Sequence, residues 1–175
     1  MQPCLFLDRD GVINQDHGYV YRPEDCDFCP GIFELCSHFQ NLGYKIIVVT
    51  NQSGIARGYY QTECFYKLTH HISKIFREHG IHINATYFCP HGPDDNCSCR
   101  KPKPGMLLQA QQEHLINMEK SLMIGDKKSD MQAAHAAKIK HLFWLTKEPI
   151  SYANSHNISH LAQVKRIHAA TIATV

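Results

Sequence analysis

Five short apolar runs, at residues 4–7, 45–49, 86–88, 122–124 and 142–145, punctuate this chain, and the stretches between them carry apolar residues at helical spacing. Runs this short, rich in branched and aromatic residues, suit strands buried on both faces, and strands separated by helices imply βαβ crossovers in a parallel sheet. In the first long stretch Ile32, Leu35, Cys36, Phe39 and Leu42 form one stripe, with Pro30 suited to the first turn and Gly43 to the stop. Phe65, Leu68, Ile72, Ile75 and Phe76 form a second stripe, ended by Gly80. Pro104 opens a third helix, and residues 129–138 form a fourth that is rich in alanine. The expected fold is α/β, a doubly wound, Rossmann-like, mainly parallel sheet in one domain spanning 1–175, with no large cap domain. Two stretches break the alternation: 15–29, expected as an inserted loop or short hairpin over one end of the sheet, and 89–103. A last helix is expected around 158–167.

Charge and cysteine content narrow the class. With 18 Lys and Arg against 16 Asp and Glu the net charge is +2, too even for a dedicated nucleic-acid or membrane-surface protein. No apolar run approaches the ~20 residues of a membrane span, and four apolar residues at the N-terminus before the first charge do not make a signal peptide. Eight cysteines without an export signal read as reduced thiols and metal ligands rather than a disulfide framework. The expectation is a cytoplasmic, monomeric enzyme whose partner is a small molecule.

Chemistry collects at the ends of the runs. Asp8, Thr50, the segment 89–101 and Asp126 each follow directly on an expected strand, where open parallel sheets bind their ligands. In Asp8-Arg9-Asp10-Gly11 two carboxylates can face one pocket, and their repulsion calls for a divalent cation; oxygen ligands favour Mg²⁺. Thr50-Asn51-Gln52-Ser53-Gly54 offers a hydroxyl and free backbone N–H groups to an oxyanion. Asp126 is placed to complete the metal site, while Asp130 is read chiefly as a cap of the following helix. Cys89, His91, Cys97 and Cys99 supply a Cys₃His set within eleven residues, the composition of a closed structural Zn²⁺ site. Cys26 and Cys29 form a second CxxC, read as packing, and Cys4, Cys36 and Cys64 lie on apolar stripes as small core residues.

DxDG after the first strand, Thr at the end of the second, Lys before the third helix and GDxxxD after the fourth strand resemble the haloacid dehalogenase superfamily of phosphohydrolases, over roughly residues 4–145. Within it, Asp16-His17-Gly18-Tyr19, the segment from Thr50 to Gly58, and Cys99-Arg100-Lys101-Pro102 look like the D-glycero-D-manno-heptose-1,7-bisphosphate 7-phosphatases, whose cousins are the histidinol-phosphate phosphatases. Val12 departs from the Thr common in the superfamily. The resemblance implies Asp8 as nucleophile, Asp10 as general acid and base, and Mg²⁺ held by Asp8, Asp126 and the Asp10 backbone carbonyl. It implies Thr50 and Lys101 on the phosphoryl oxygens, and Asp16, His17, Gly18, Tyr19, Asn51, Gln52, Ser53, Arg100 and Lys127 around the substrate, with Arg57 as a further cation at the rim. The same relatives carry the zinc loop, which here ends directly before Arg100 and Lys101. The five residues between His91 and Cys97 are as short as in the histidinol enzymes, whereas the segments 16–19 and 53–58 favour the heptose group. A zinc-stabilised binding module without catalysis would lack a nucleophile, acid or phosphate lysine, and none is missing.

Overall fold

The computed structural model describes residues 1–146 and the backbone of 164–168. Six strands form one sheet: β1 (Cys4–Leu7), β2 (Lys45–Asn51), β3 (Ala85–Cys89), β4 (Leu122–Gly125), β5 (His141–Thr146) and β6 (Val164–His168). Their order is β3-β2-β1-β4-β5-β6 and every neighbouring pair is parallel. The chain builds outward from β1 in one direction and then crosses to β4 on its other side, so the reversal of winding, and the crevice it leaves, lies between β1 and β4. Helices α1 (Ile32–Asn41), α2 (Thr62–Glu78), α3 (Gly105–His114) and α4 (Lys128–Ala136) supply the crossovers.

Alternation along each strand divides the core in two. Phe6, Ile47, Val49 and Met123 face α3 and α4 and pack with Met106, Leu107, Ala133 and Ala134. Leu5, Leu7, Ile46, Val48 and Ile124 face α1 and α2 and meet Ile32, Leu35, Leu68, Ile72 and Phe76. Because both faces are covered, the strands read as continuous apolar runs. β2 runs two residues past its apolar stretch, because the backbone ladder continues through Thr50 and Asn51, which sit in register with Phe88 and Cys89. That extension carries both polar side chains to the edge of the crevice.

One expectation narrows and one needs correction. The stretch 15–29 is a loop with one 3-10 turn at Pro23–Asp25 rather than a hairpin, pinched at its base by a single antiparallel bridge between Asn14 and Phe28. Cys26 and Phe28 pack from it onto the α1/α2 side of the core, and burial pushes the Cys26 thiol up to about 11, so it is an apolar filler. The helix expected around 158–167 is strand β6 from Val164 onward, paired with β5 from Leu142↔Val164 to Thr146↔His168; residues 158–163 lie outside the described residues. The exposed backbone edge of β5 takes a strand there in preference to a weakly periodic helix. Among the described residues no helix is long and apolar enough to cross a membrane.

Candidate active site

The carboxyl ends of β1 and β4 bring three carboxylates and one lysine together below the surface. Asp8 follows β1 directly and is 4% exposed, its backbone N–H donating to Ile124 O on β4 at 3.0 Å. Lys101 Nζ, 3% exposed, lies 3.0 Å from Asp8 Oδ1 and 2.6 Å from Asp130 Oδ1, and donates to Val49 O at 2.7 Å. Carboxylate oxygens of Asp8, Asp126 and Asp130 all come within 4.8 Å of one another. Burial raises the proton affinity of Asp8 and Lys101 lowers it; on Lys101 burial pulls the other way, and Asp130 and Asp8 outweigh it, so the ammonium is held charged. Asp126 is pushed up to about 7, first by burial and then by the charge of Asp8. Its Oδ1 is buried without a hydrogen-bond partner. An orphaned carboxylate oxygen facing two further carboxylates is the donor set of a hard divalent cation, and Mg²⁺ fits it.

Glycine is required where the chain crowds this centre. A Cβ on Gly11, whose φ is +89°, would stand 2.3 Å from Asp126 Oδ2, and one on Gly125 would stand 2.3 Å from Asp130 Cβ. Asp130 also caps α4, accepting from the Lys127 backbone N–H at 2.9 Å, as its position in GDxxxD suggests. Its second tie, to Lys101, carried no signal in the sequence. Trp144 on β5 fixes the loop from behind, donating from Nε1 to Asp126 O at 2.8 Å.

Above the centre opens a cleft of about 900 Å³. Asp10, Asp16, Gly18, Tyr19, Asn51, Gln52, Ser53, Arg100, Lys101 and Lys127 all line it. Thr50 lies just beneath, 1% exposed, its Oγ1 accepting from Gln52 Nε2 at 2.8 Å. Two of the lining residues serve the scaffold as well as the cleft. Asn51 clamps the main chain of Lys101, donating to its O and accepting from its N–H, both at 3.0 Å. Asp16 Oδ2 ties the loop 15–29 to Lys127 Nζ at 3.0 Å. Two residues do not take part: the His17 ring turns to Asp27 at 3.0 Å and, like Arg57, does not line the cleft. Lys103, Asn96 and Tyr60 line it without a motif to announce them.

At one wall, Cys89, His91, Cys97 and Cys99 close into a cluster. Cys99 Sγ lies 3.2 Å from Cys89 Sγ and 3.5 Å from Cys97 Sγ, and His91 Nδ1 lies 3.5 and 3.3 Å from Cys89 and Cys99. A tetrahedral ion with Zn–S bonds of about 2.3 Å sets its sulfurs about 3.8 Å apart, so these four ligands need only a slight expansion to accept Zn²⁺. Arg100 leaves the cluster with NH1 on His91 O at 3.1 Å.

A phosphatase of Helicobacter pylori strain J99, named D-glycero-beta-D-manno-heptose-1,7-bisphosphate 7-phosphatase, is 51% identical over 87% of this chain and 88% of its own length. The chain belongs to this phosphatase family. A Campylobacter jejuni relative, named for the alpha anomer of the same compound, is 51% identical over 83% of each chain. The family model described as "HAD-hyrolase-like" matches residues 98–149, the stretch holding Lys101, Asp126 and Asp130. Among solved structures, the D,D-heptose 1.7-bisphosphate phosphatase of B. bronchiseptica, complexed with magnesium and phosphate, superposes with a TM-score of 0.83 at 28% identity over 99% of this chain and 97% of its own. This heptose bisphosphate phosphatase family member is thus a phosphoric monoester hydrolase of the haloacid dehalogenase superfamily, with the sheet and crevice that the alternation of its strands and helices implies.

Proposed function

We propose that this protein hydrolyses the 7-phosphate of D-glycero-D-manno-heptose 1,7-bisphosphate. The observation that carries the reading is the convergence of Asp8, Asp126, Asp130 and Lys101 beneath a cleft rimmed by three further cations, Arg100, Lys103 and Lys127. One phosphate needs fewer cations than this; a bisphosphate accounts for the surplus.

In this reading Asp8 attacks phosphorus through a carboxylate oxygen, the phosphorus–oxygen bond to the sugar breaks, and Asp10 gives its proton to the departing sugar oxygen. Water then attacks the aspartyl-phosphate, Asp10 takes back a proton, and phosphate leaves with Asp8 restored. Asp8 and Asp126 carboxylates and the Asp10 backbone carbonyl would hold Mg²⁺, which supplies charge to a transition state shared by two anions. Lys101 neutralises Asp8 and, with the Thr50 hydroxyl, holds the equatorial oxygens of the transferred group. Arg100, Lys103 and Lys127 receive the second phosphate, and Asp16, Gly18, Tyr19 and Asn51 through Ser53 border the sugar. Zn²⁺ on the Cys₃His set is structural, since four protein ligands leave no open position, and it stiffens the segment that presents Arg100 and Lys101.

The test is phosphate release with Mg²⁺ present, comparing heptose 1,7-bisphosphate of both anomers with histidinol phosphate. A higher kcat/KM for one of the bisphosphates is expected, and Arg100→Ala should narrow the gap by penalising the bisphosphate. A preference for histidinol phosphate would overturn the substrate and leave the phosphatase chemistry standing.

A further inference from the structure

We propose that Arg9 is a positioning residue: it fixes the carboxylate of Asp10 and, through Gln52, sets the direction in which the Thr50 hydroxyl donates. The proposal rests on the roles assigned above to Asp10 and Thr50. Arg9 is the residue between the two motif carboxylates and is 1% exposed. Burying a guanidinium is costly unless a partner offsets it, and well-packed apolar residues often serve stability as well. Apolar surroundings are in fact present, with the Phe65 ring 5.9 Å from the guanidinium carbon. The buried charge therefore needs a reason beyond packing.

Its contacts supply one. Arg9 Nε and NH2 donate to Asp10 Oδ1 at 3.1 and 2.9 Å, and NH2 lies 2.9 Å from Asp10 Oδ2. NH2, whose two hydrogens are shared among these acceptors, also lies 2.6 Å from the Val20 carbonyl and 3.1 Å from Gln52 Oε1, while NH1 is buried without a partner. Asn14 Nδ2 adds 3.1 Å on Asp10 Oδ1, and Gln52 Nε2 adds 2.9 Å on Oδ2. A carboxylate with donors on both oxygens from three side chains cannot rotate freely, so its reach into the cleft is set before substrate arrives.

Gln52 extends the control to Thr50. Tyr60 OH donates to Gln52 Oε1 at 2.6 Å beside the Arg9 contact, which identifies the oxygen end of the amide. Its nitrogen end then donates to Asp10 Oδ2 and, at 2.8 Å, to Thr50 Oγ1. Because the Thr50 oxygen accepts there, its single hydroxyl proton is directed elsewhere, to an acceptor such as a phosphoryl oxygen. One buried cation thus orients both the proton carrier and a phosphate donor.

The readout that separates positioning from packing is leaving-group dependence. A sugar oxygen needs protonation as it leaves, whereas 4-nitrophenolate does not. Arg9→Met should lower kcat on the sugar phosphate on the order of 10²-fold with KM changed less than about threefold, but slow the pre-steady-state burst of 4-nitrophenolate from 4-nitrophenyl phosphate, which reports the first step alone, less than about tenfold. Arg9→Lys, which keeps the charge and loses the fork, should fall between wild type and Arg9→Met. Tyr60→Phe keeps the ring stacked on Tyr21 at 5.0 Å and removes one donor to Gln52, so it should fold. It should lower kcat on the sugar phosphate about two- to fivefold and spare the 4-nitrophenolate burst. A 4-nitrophenolate burst slowed as much as kcat on the sugar phosphate across the Arg9 variants, or, if those do not fold, wild-type kinetics in Tyr60→Phe, overturn the proposal. Asp10→Asn with wild-type turnover would instead overturn the mechanism beneath it.

Discussion

The carboxylate centre and the Cys₃His loop lie side by side yet are held together by opposite means. Asp8, Lys101 and Asp130 come from segments far apart in sequence, are all at most 4% exposed, and are fixed by strand ends, a helix cap and ion pairs of 2.6 and 3.0 Å. The sheet builds that centre whether or not an ion sits in it. Cys89, His91, Cys97 and Cys99 fall within eleven residues, in a segment that offers no large apolar side chain to bury. There the ligands are neighbours by sequence, and in the proposed reading the bound Zn²⁺ supplies the stiffness. A fold can therefore prepare a reactive site through distant contacts and delegate the stiffness of a nearby wall to an ion.

Breaking the centre should cost most. Asp8→Asn should lower turnover at least about 10³-fold, because an amide is no nucleophile, while the unfolding midpoint stays near that of wild type. Steady-state kinetics beside thermal denaturation checks both halves. Lys101→Met strands Asp8 and Asp130 as buried carboxylates, so denaturant titration should show a loss of about 3–5 kcal/mol as well as lost activity. In the loop the pattern should separate: Cys97→Ser or zinc chelation should lower Tm and raise KM, while the Mg²⁺ concentration for half-maximal activity stays the same. Bound zinc measured near one atom per chain before chelation completes that test.

The smallest effect is in pH. Asp126 holds its proton up to about 7, above its ordinary value near 4, so the folded protein without metal binds more protons than the unfolded chain between those values. Its contribution to stability therefore falls as pH rises through that window. A divalent cation takes the ionised form, so the rise in Tm on adding Mg²⁺ should be larger at pH 8 than at pH 5.5. A rise that shrinks toward pH 8 would contradict the place given to Asp126.

The strands were legible because both faces of the sheet are buried and leave unbroken apolar runs, and the chemistry was legible because Asp8, Thr50 and Asp126 follow those runs directly. Cys89 to Cys99 were readable for a different reason: a closed ligand set lies within one short segment. What sequence order hides is partnership across the fold. Nothing near Asp130 announces Lys101, and nothing in Asn51 says that its amide clamps the Lys101 backbone instead of only facing the cleft. Arg9 carries no signal of its own, because its two carboxylate neighbours account for the motif without it. Strand β6 was misread because its pairing partner, the edge of β5, is a tertiary feature.

Trapping the phosphorylated enzyme tests the division of labour between the two regions most directly. Asp10→Asn mixed with radiolabelled 4-nitrophenyl phosphate and quenched in acid should carry label on the peptide containing Asp8, because the first step needs no acid there and the second has lost its base. The label should be released by hydroxylamine, be absent from Asp8→Asn, and persist when zinc has been chelated. No label on that peptide, or a label that requires zinc, would contradict the account.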